Sequence, residues 1–177
     1  MPHYRRALTG TTFFFTVVTH RRRPILCDDA VRSALRAAIT QVRCHLPFSI
    51  DAMVLMPDHL HCIWTLPNGD TNFSSRWAQV KHHVSYVCSD LYPTALSKSQ
   101  QRRGSGAFWQ RRFWEHQIRD EHDMERHVDY IHFNPVKHGL VGTASAWQYS
   151  TFGRYVRDGV YPADWGGNPA CDGMELE

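Results

Sequence analysis

The chain has 177 residues, of which 42% are apolar, and is long enough to bury the core of one domain. Its apolar runs are shorter than the roughly 20 residues of a membrane-spanning helix, so we expect a cytoplasmic protein without membrane association. Five scattered cysteines without a CxxC pair indicate neither a disulfide framework nor a cysteine-based zinc site.

The formal net charge of +3 is distributed unevenly about Arg157. All 20 lysine and arginine residues lie at or before this position, and five acids follow it. We therefore predict a basic domain over residues 1–157 and an acidic C-terminal tail over residues 158–177. A basic domain is typical of proteins that bind polyanions such as DNA, and its excess of arginine over lysine favours bidentate phosphate contacts. An arginine bias of the genome explains that excess equally well.

The first predicted elements are a strand and a helix. Residues 11–19 are all β-branched or aromatic, which indicates a strand buried on both faces. Asp28 or Asp29 can cap a helix whose apolar residues recur at helical spacing, and this helix should end near Pro47. The apolar stripe predicts that the helix packs on a sheet.

A β-hairpin and a second helix are predicted next. Apolar residues alternate over residues 48–56, a tight turn is expected at residues 57–58, and residues 60–66 form the returning strand. Ser74 or Ser75 can cap a helix that follows, with its apolar residues on one face.

The remaining pattern completes the predicted fold. Residues 97–106 are polar and basic, which predicts a mobile loop. Residues 113–119 are expected to form a fourth strand, and a third helix should begin at Asp120 or Glu121 and end at Asn134, because the residue before a proline avoids the helical region. The order β-α-β-β-α-β with an additional C-terminal helix predicts an α+β fold of the ferredoxin-like, split βαβ type, with an antiparallel sheet and helices on one face.

Two histidines begin the third predicted strand. Residues two apart on a strand project from the same face, so His59 and His61 can reach one metal ion. With 12 histidines in the chain, a His-x-His pattern arises about once by chance. Two partly buried histidines near a turn are therefore the alternative interpretation.

The third predicted helix carries a tyrosine outside its apolar stripe. At about 100° per residue, Met124, Val128 and Ile131 lie on one face of the helix. Tyr130 lies outside that face and shares its own with Asn134, one turn later. Tyr130 is thus a candidate nucleophile, and a half-exposed amphipathic tyrosine is the alternative.

Together these residues suit phosphoryl transfer. Free tyrosine has a pKa of about 10, so at neutral pH the phosphate must be made more electrophilic. A divalent ion on His59 and His61, with Asn134 as a neutral oxygen ligand, would do so. These ligands suit Mn²⁺ better than Mg²⁺, although cellular abundance favours Mg²⁺. A hydrolase that uses water as the nucleophile is a further alternative, but it leaves Tyr130 without a role.

The same residues resemble the Y1 HUH transposases, specifically the REP-associated tyrosine transposase branch of the IS200-like family. The resemblance rests on Pro57-Asp58-His59-Leu60-His61 for the HUH motif, and on His127-Val128-Asp129-Tyr130 with Asn134-Pro135-Val136-Lys137-His138-Gly139 for the tyrosine helix. Residues 73–77, 112–116 and 161–165 are also similar to that branch. The resemblance implies a ferredoxin-like endonuclease that binds a palindromic repeat folded as a hairpin and cuts single-stranded DNA beside it, leaving a 5′-phosphotyrosine on Tyr130.

On this chain, the resemblance implies that His59 and His61 bind a divalent ion, Mg²⁺ or Mn²⁺, and that Tyr130 is the nucleophile. Asn134 stands where many IS200-like enzymes have Gln, and it is the expected third ligand. The expected partners are single-stranded DNA and REP-type DNA hairpins, and we expect a monomer or homodimer. Because the family includes domesticated copies, a catalytically weak DNA hairpin-binding protein is the alternative function.

Basic and aromatic residues near these segments are candidates for DNA contacts. The predicted DNA-binding residues are Arg76, Lys81, Arg111, Arg112, Lys137 and His138. Trp77 or Trp114 could stack an unpaired base. For the acidic tail, we hypothesise that its acids and Trp165 cover the basic cleft and compete with DNA. A disordered, solubilising tail is the alternative.

Overall fold

Four strands form one antiparallel sheet in the computed structural model, which describes residues 11–93 and 108–166. The strands are β1 (Thr12–Val18), β2 (Ser49–Leu55), β3 (His59–Thr65) and β4 (Trp114–Gln117), in the spatial order β2-β3-β1-β4. The helices are α1 (Asp29–His45), α2 (Phe73–Val87), α3 (Glu121–Lys137) and the short α4 (Phe152–Arg157). This pairing confirms the predicted ferredoxin-like α+β fold.

One face of the sheet is covered by α1 and α2. β1 directs Phe13, Phe15 and Val17 to this face, where they meet the apolar stripe of α1. Trp64 of β3 stacks on Trp77 of α2, with ring centroids 4.1 Å apart. These residues form the larger of two hydrophobic cores, which holds the sheet rigid behind the face that carries the histidine pair.

The opposite face is covered by α3 and α4. Val128 and Ile131 of α3 are fully buried against Ala52, Val54 and Ile63 of the sheet. Their burial confirms the core face that helical spacing predicted for α3. The sheet is therefore a layer between two cores, and α3 lies on the face of β3 toward which residues 59, 61 and 63 point.

A β-bulge changes the face toward which β2 points. Ile50 pairs with Trp64 and Ala52 pairs with Ile63, so Asp51 is an inserted residue. Apolar residues before the bulge pack with α1 and α2, whereas Ala52 and the alternate residues after it pack with α3. The uninterrupted alternation that the sequence predicted for this strand was therefore wrong. Both faces of the strand are apolar, so the alternation of apolar residues continues across the inserted residue and does not reveal it.

The start of α2 also differs from the prediction. Asn72 precedes the helix, and its side-chain oxygen accepts a hydrogen bond from the main-chain nitrogen of Ser75 at 3.2 Å. Asn is among the most favourable N-cap residues, and it leaves Ser74 and Ser75 inside the first turn. The prediction that one of these serines is the cap was wrong. α1, by contrast, begins directly after Asp28, as predicted, although the Asp28 side chain forms no capping hydrogen bond with the described residues.

α3 continues through Pro135 to Lys137, so the predicted end at Asn134 was wrong. A proline removes one main-chain hydrogen bond, and near a helix end the remaining bonds are enough to keep the last turn closed. His138 donates its main-chain N–H to the Asn134 carbonyl at 3.0 Å. Gly139 follows with a φ of 67°, a conformation that glycine adopts without strain.

Residues 158–166 pack against the domain. Tyr161 donates a hydrogen bond to Asp129 of α3, and Trp165 stacks on Tyr161 with ring centroids 4.4 Å apart. Trp165 also contacts Phe133 and Phe152, so it belongs to the aromatic cluster between α3 and α4. The hypothesis that Trp165 covers a DNA cleft was wrong, because its ring is already packed in this cluster.

Some predicted features lie outside the described residues. These are the mobile loop at 97–106 and residues 167–177 of the acidic tail. The division of the chain at residue 157 therefore stays a prediction. Within the described ranges, no helix is both long enough and apolar enough to cross a membrane.

Candidate active site

A cleft of about 370 Å³ opens on the α3 face of the sheet. β1 contributes Phe14 and Thr16 to its walls, β3 contributes His59 and His61, β4 contributes Trp114, and the remaining lining residues are Arg22, Tyr130 and His138. The rings of His61 and Tyr130 have centroids 5.2 Å apart. The structure thus brings together the histidine pair and the tyrosine that the sequence assigned to different elements.

Three larger cavities lie elsewhere, two of them beside β2. Their volumes are about 690, 550 and 520 Å³, and none contains a residue that the sequence identified as a site residue. Cavity size alone would select them, but the chemistry of the lining residues selects the smaller cleft.

His59 is oriented by the residue before it. Its Nδ1 donates to the Asp58 carboxylate at 2.6 Å, and Arg22 donates to the other carboxylate oxygen at 2.9 Å. Burial lowers the pKa of His59, and the Asp58 carboxylate opposes that shift. With the proton on Nδ1, the Nε2 lone pair of the neutral ring can bind an ion. Sequence reasoning placed Asp58 in the turn and in the HUH motif without giving it a role, although a carboxylate beside a candidate ligand was the signal for this supporting contact.

His61 is held from the neighbouring strand. Thr16 lies opposite it in the pairing of β1 with β3, and its hydroxyl oxygen is 2.8 Å from His61 Nδ1. The other ring nitrogen, Nε2, is buried and has no hydrogen-bond partner in the described part of the chain. Burial holds the pKa of His61 well below its usual range, so this ring is neutral at pH 7. The ring centroids of His59 and His61 are 4.8 Å apart, which allows both to bind one ion.

The side chain of Asn134 is completely buried, one helical turn after Tyr130. Among the residues that the structure describes, neither its amide oxygen nor its amide nitrogen has a hydrogen-bond partner. An unpaired buried amide costs about 1–3 kcal/mol, so a native fold retains one where a ligand can satisfy it. The unpaired Asn134 oxygen and His61 Nε2 are donor atoms that fit a divalent ion such as Mn²⁺ or Mg²⁺.

Tyr130 is half-buried in the wall of the cleft. Burial raises the pKa of Tyr130, and the adjacent Asn134 amide partly opposes the rise. The Lys137 ammonium lies 5.6 Å from the centroid of the tyrosine ring, which brings positive charge to the same wall. The hydroxyl is therefore protonated at neutral pH, and its attack requires an activated phosphate.

Two of the predicted DNA-binding residues are occupied within the fold. Arg76 is 1% exposed, and its guanidinium binds the Asp70 carboxylate and main-chain carbonyls. The prediction that Arg76 binds DNA was wrong, because these contacts bury its planar donor group. Lys81 donates to two main-chain carbonyls just before β4, and burial lowers the pKa of Lys81 to about 8. Its DNA contact stays a prediction.

The other four predicted DNA-binding residues are exposed. Arg111 and Arg112 precede β4, whereas Lys137 and His138 lie at the end of α3. The ring of His138 is 5.7 Å from the ring of His59, so this residue lies on the rim of the cleft. Their roles in binding stay predictions that their exposure permits.

The two tryptophans proposed to stack bases have different environments. Trp77 is buried against Trp64, so the prediction that it stacks a base was wrong. Trp114 is 46% exposed and lies in the wall of the cleft. Only Trp114 of this pair therefore has a ring that a base can reach.

A second group of metal-ligand residues, which sequence reasoning missed, lies beside the cleft. His116, Asp123 and His127 have donor atoms within 4.8 Å of one another. His116 Nε2 donates to the Asp123 carboxylate at 2.8 Å, and His127 Nδ1 donates to the Asp123 carbonyl at 2.7 Å. Burial opposes ionisation of Asp123, but hydrogen bonds from His116 and the Arg119 amide prevail and lower its pKa to about 2.

The geometry of this second group favours hydrogen bonding over metal binding. A ring nitrogen binds a metal in the plane of its ring, but the rings of His116 and His127 are nearly parallel, 13° apart, and stacked at 4.7 Å. The Arg119 guanidinium is 3.3 Å from the Asp123 carboxylate and supplies a cation already. We therefore describe His116, Asp123 and His127 as the histidine-aspartate network.

Comparison with known proteins decides the family. Residues 8–134 match the family model described as "Transposase IS200 like". The chain belongs to this family. This transposase is 46% identical over 169 residues to a REP-associated tyrosine transposase of Escherichia coli (strain K12), which covers 95% of this chain and 93% of that one. A relative from Haemophilus influenzae is 40% identical over 174 residues, with 96% of each chain covered.

The transposase also resembles a solved structure. That structure is of a REP-associated tyrosine transposase bound to a REP hairpin, and it superposes with a TM-score of 0.75 at 45% identity. The match covers 95% of this chain and 93% of the other. The resemblance to the IS200-like family that the sequence motifs indicated is confirmed.

Proposed function

We propose that this transposase is a metal-dependent endonuclease and strand transferase that cuts single-stranded DNA next to REP-type hairpins. The observation that carries the proposal is that two buried donor atoms, His61 Nε2 and the Asn134 amide oxygen, have no hydrogen-bond partner among the described residues and belong to side chains beside Tyr130. A hairpin substrate is supported by the related structure, which holds a REP hairpin.

In the proposed reaction, Tyr130 is the nucleophile. Its hydroxyl oxygen forms a bond to the scissile phosphorus while the bond from phosphorus to the 3′ oxygen breaks. The tyrosine proton leaves to solvent, and the 3′ oxygen takes up a proton from solvent. The products are a 3′-hydroxyl and a 5′-phosphotyrosine. Because the phosphodiester bond energy is retained, attack by another 3′-hydroxyl reverses the step and joins strands.

The metal site of the proposal consists of His59, His61 and Asn134. Asp58 and Thr16 orient the two rings through hydrogen bonds at 2.6 and 2.8 Å. When bound, Mg²⁺ or Mn²⁺ polarises the non-bridging phosphate oxygens and orients the scissile bond. This activation matters here because burial raises the pKa of Tyr130 and keeps its hydroxyl protonated.

The remaining parts of the proposal concern DNA binding and assembly. Arg111, Arg112, Lys137 and His138 are the exposed residues proposed to contact phosphates of the hairpin or its flanking strand. A monomer or a homodimer is the proposed assembly. A DNA substrate agrees with the expected cytoplasmic location.

A covalent adduct tests the proposal. A single-stranded oligonucleotide with a REP-type hairpin and a 3′ label is incubated with the protein and Mn²⁺ or Mg²⁺, and the products are separated on a denaturing gel. We expect a labelled protein adduct that disappears with EDTA and in Tyr130→Phe. The matched control is Tyr86→Phe, an exposed tyrosine on α2, which should form the adduct normally.

Other outcomes identify the alternatives. Hairpin binding without cleavage in the presence of either metal would support the catalytically weak binding protein. Cleavage that survives in Tyr130→Phe would make water the nucleophile and overturn the covalent mechanism.

A further inference from the structure

Trp114, the first residue of β4, is an unusual residue for the wall of a cleft. It is 46% exposed, although its ring is among the largest apolar groups of the chain. An exposed tryptophan leaves apolar surface in water that a ligand can cover, at about 25 cal/mol per Å². Trp114 lies in the same cleft as His61 and Tyr130. If the proposed function is taken as given, the ligand that covers Trp114 is part of the DNA substrate.

The Trp114 ring is held in place from behind. It stacks on the His116 ring with an interplanar angle of 5° and centroids 5.9 Å apart, and His116 stacks in turn on His127. The Asp123 carboxylate fixes His116 through a hydrogen bond at 2.8 Å, and it also lies 3.2 Å from His127 Nδ1. The histidine-aspartate network thus supports a column of three rings whose exposed end is Trp114.

Phe14 connects this column to the reacting groups. Its ring meets the Trp114 ring edge-on, with centroids 5.6 Å apart. The same Phe14 ring is 6.2 Å from Tyr130 and 5.5 Å from His61. Trp114 and Tyr130 are therefore both neighbours of one buried phenyl ring, so a base on Trp114 belongs to a nucleotide close to the phosphate that meets Tyr130.

We propose that Trp114 is a stacking platform for an unpaired base of the strand that Tyr130 cuts. Stacking on a rigid aromatic ring accepts any base and needs no hydrogen-bond pattern. A platform held by the histidine-aspartate network fixes the position of the flanking nucleotide, and this presents the scissile phosphate to the cleft. The inference rests on the proposed function, because it takes the strand cut by Tyr130 as the ligand.

Fluorescence of 2-aminopurine tests the platform. The base analogue is placed at each single-stranded position flanking the hairpin in turn, and binding is followed without added metal in the Tyr130→Phe background, where no cutting occurs. We expect strong quenching at one position, because stacking on an indole quenches this analogue. Trp114→Leu should lose that quenching, and Trp114→Phe should keep part of it.

Binding and kinetics separate a platform from a structural role. Trp114→Leu should weaken binding of the flanked hairpin about tenfold, the loss expected for one stacked base, and leave binding of a hairpin without flanks unchanged. In the Tyr130-containing protein, the same substitution should lower kcat/KM for cleavage by a similar factor. Tyr86→Leu is the matched control, since Tyr86 is 76% exposed on α2 and should leave every readout unchanged.

Two results would overturn the inference. One is quenching and flanked-hairpin binding that are the same in Trp114→Leu as in the parent protein. The other is an equal loss of binding for hairpins with and without flanks, which would make Trp114 a duplex contact or a structural residue. Because fluorescence needs binding but no cleavage, failure of the platform is distinguishable from failure of the covalent mechanism, which the absence of a protein adduct reveals.

Discussion

Two groups of histidines lie on the α3 face of the sheet, and they differ in what their ring nitrogens contact. In the cleft, His59 and His61 each have one nitrogen held by a neighbour, and the second nitrogen of His61 is buried without a partner among residues 11–93 and 108–166. In the histidine-aspartate network, His116 and His127 direct nitrogens toward one carboxylate. The first group therefore has ring nitrogens available to bind a metal ion, whereas the ring nitrogens of the second group that face Asp123 are used in contacts within the fold.

The difference shows why proximity alone does not identify a metal site. The network has donor atoms within 4.8 Å of one another and includes a carboxylate, yet its parallel rings and satisfied hydrogen bonds suit mechanical support. The cleft histidines have neutral rings with a supporting contact on one nitrogen, and the Asn134 amide near the nucleophile has no partner in the part of the chain that the structure describes. Unused buried donors therefore separate the candidate metal site from the structural cluster.

Replacement of His61 should have the largest effect. His61→Ala removes one of two imidazoles from the proposed metal site, so the single-turnover cleavage rate should fall about 1000-fold, since a catalytic metal supplies several kcal/mol. Its counterpart, His116→Ala, should lower the rate about tenfold or less, because it only loosens the support of Trp114. Equal losses in the two variants would break the distinction between the groups.

Replacement of Asp123 should have the largest effect on stability. Asp123→Ala removes the buried carboxylate that accepts hydrogen bonds from the His116 ring and the Arg119 amide, and the free energy of unfolding in urea should fall by about 3 kcal/mol. Asp58→Ala is the matched variant in the cleft. It should change stability by less than about 1 kcal/mol but weaken metal binding about 10- to 100-fold, because Asp58 orients a ligand. The reverse pattern would contradict the assigned roles.

Another buried histidine, His132, tests whether an unpaired ring nitrogen is sufficient for metal binding. His132 Nδ1 has no partner within the described ranges, but the ring lies among Tyr155, Tyr161 and Phe152 and outside the cleft. Burial lowers the pKa of His132 to about 3 from 6.5, so between these values the unfolded chain binds more protons and stability falls as the pH drops.

The measurement is the pH dependence of urea unfolding. Between pH 6.5 and 4, His132→Gln should reduce the slope by up to about 1.4 kcal/mol per pH unit relative to the parent protein. An identical slope would mean that His132 titrates normally. Metal binding at pH 7 should be the same in both proteins, because His132 lies outside the cleft through which a ligand reaches His61.

The smallest effect is expected at the rim of the cleft. Lys137→Ala should weaken binding of a hairpin oligonucleotide a few-fold, and it should reduce the slope of log K against log salt by about 1, the value for one lost phosphate contact. Fluorescence anisotropy between about 50 and 200 mM salt measures both quantities. A slope that does not change would remove Lys137 from the phosphate contacts.

Much of the cleft follows from elementary geometry of the chain. Residues two apart on a strand point to the same side, which predicts that His59 and His61 share a face of β3. The rotation of about 100° per residue in a helix predicts that Tyr130 lies outside the core stripe of α3. The fold class followed from the order of strands and helices, because few topologies join them without crossing connections. These features depend on local periodicity, which a single sequence contains.

The missed features depend on contacts between distant segments. Arginine is usually exposed, and only the fold reveals that Asp70 and the residues after α1 enclose Arg76. The support of His61 by Thr16 requires the register of β1 against β3, which no local pattern gives. The network at Asp123 likewise joins β4 to α3, so its hydrogen bonds appear only when the two elements are packed together.

The location of the metal ion tests the central claim most directly. Mn²⁺ binding is followed by electron paramagnetic resonance in Tyr130→Phe with a hairpin oligonucleotide present. The same measurement is made on two double variants, which carry His61→Ala or His116→Ala in addition to Tyr130→Phe. We predict that one bound Mn²⁺ is lost in His61→Ala and retained in His116→Ala. Retention in His61→Ala together with loss in His116→Ala would assign the ion to the histidine-aspartate network and contradict the account.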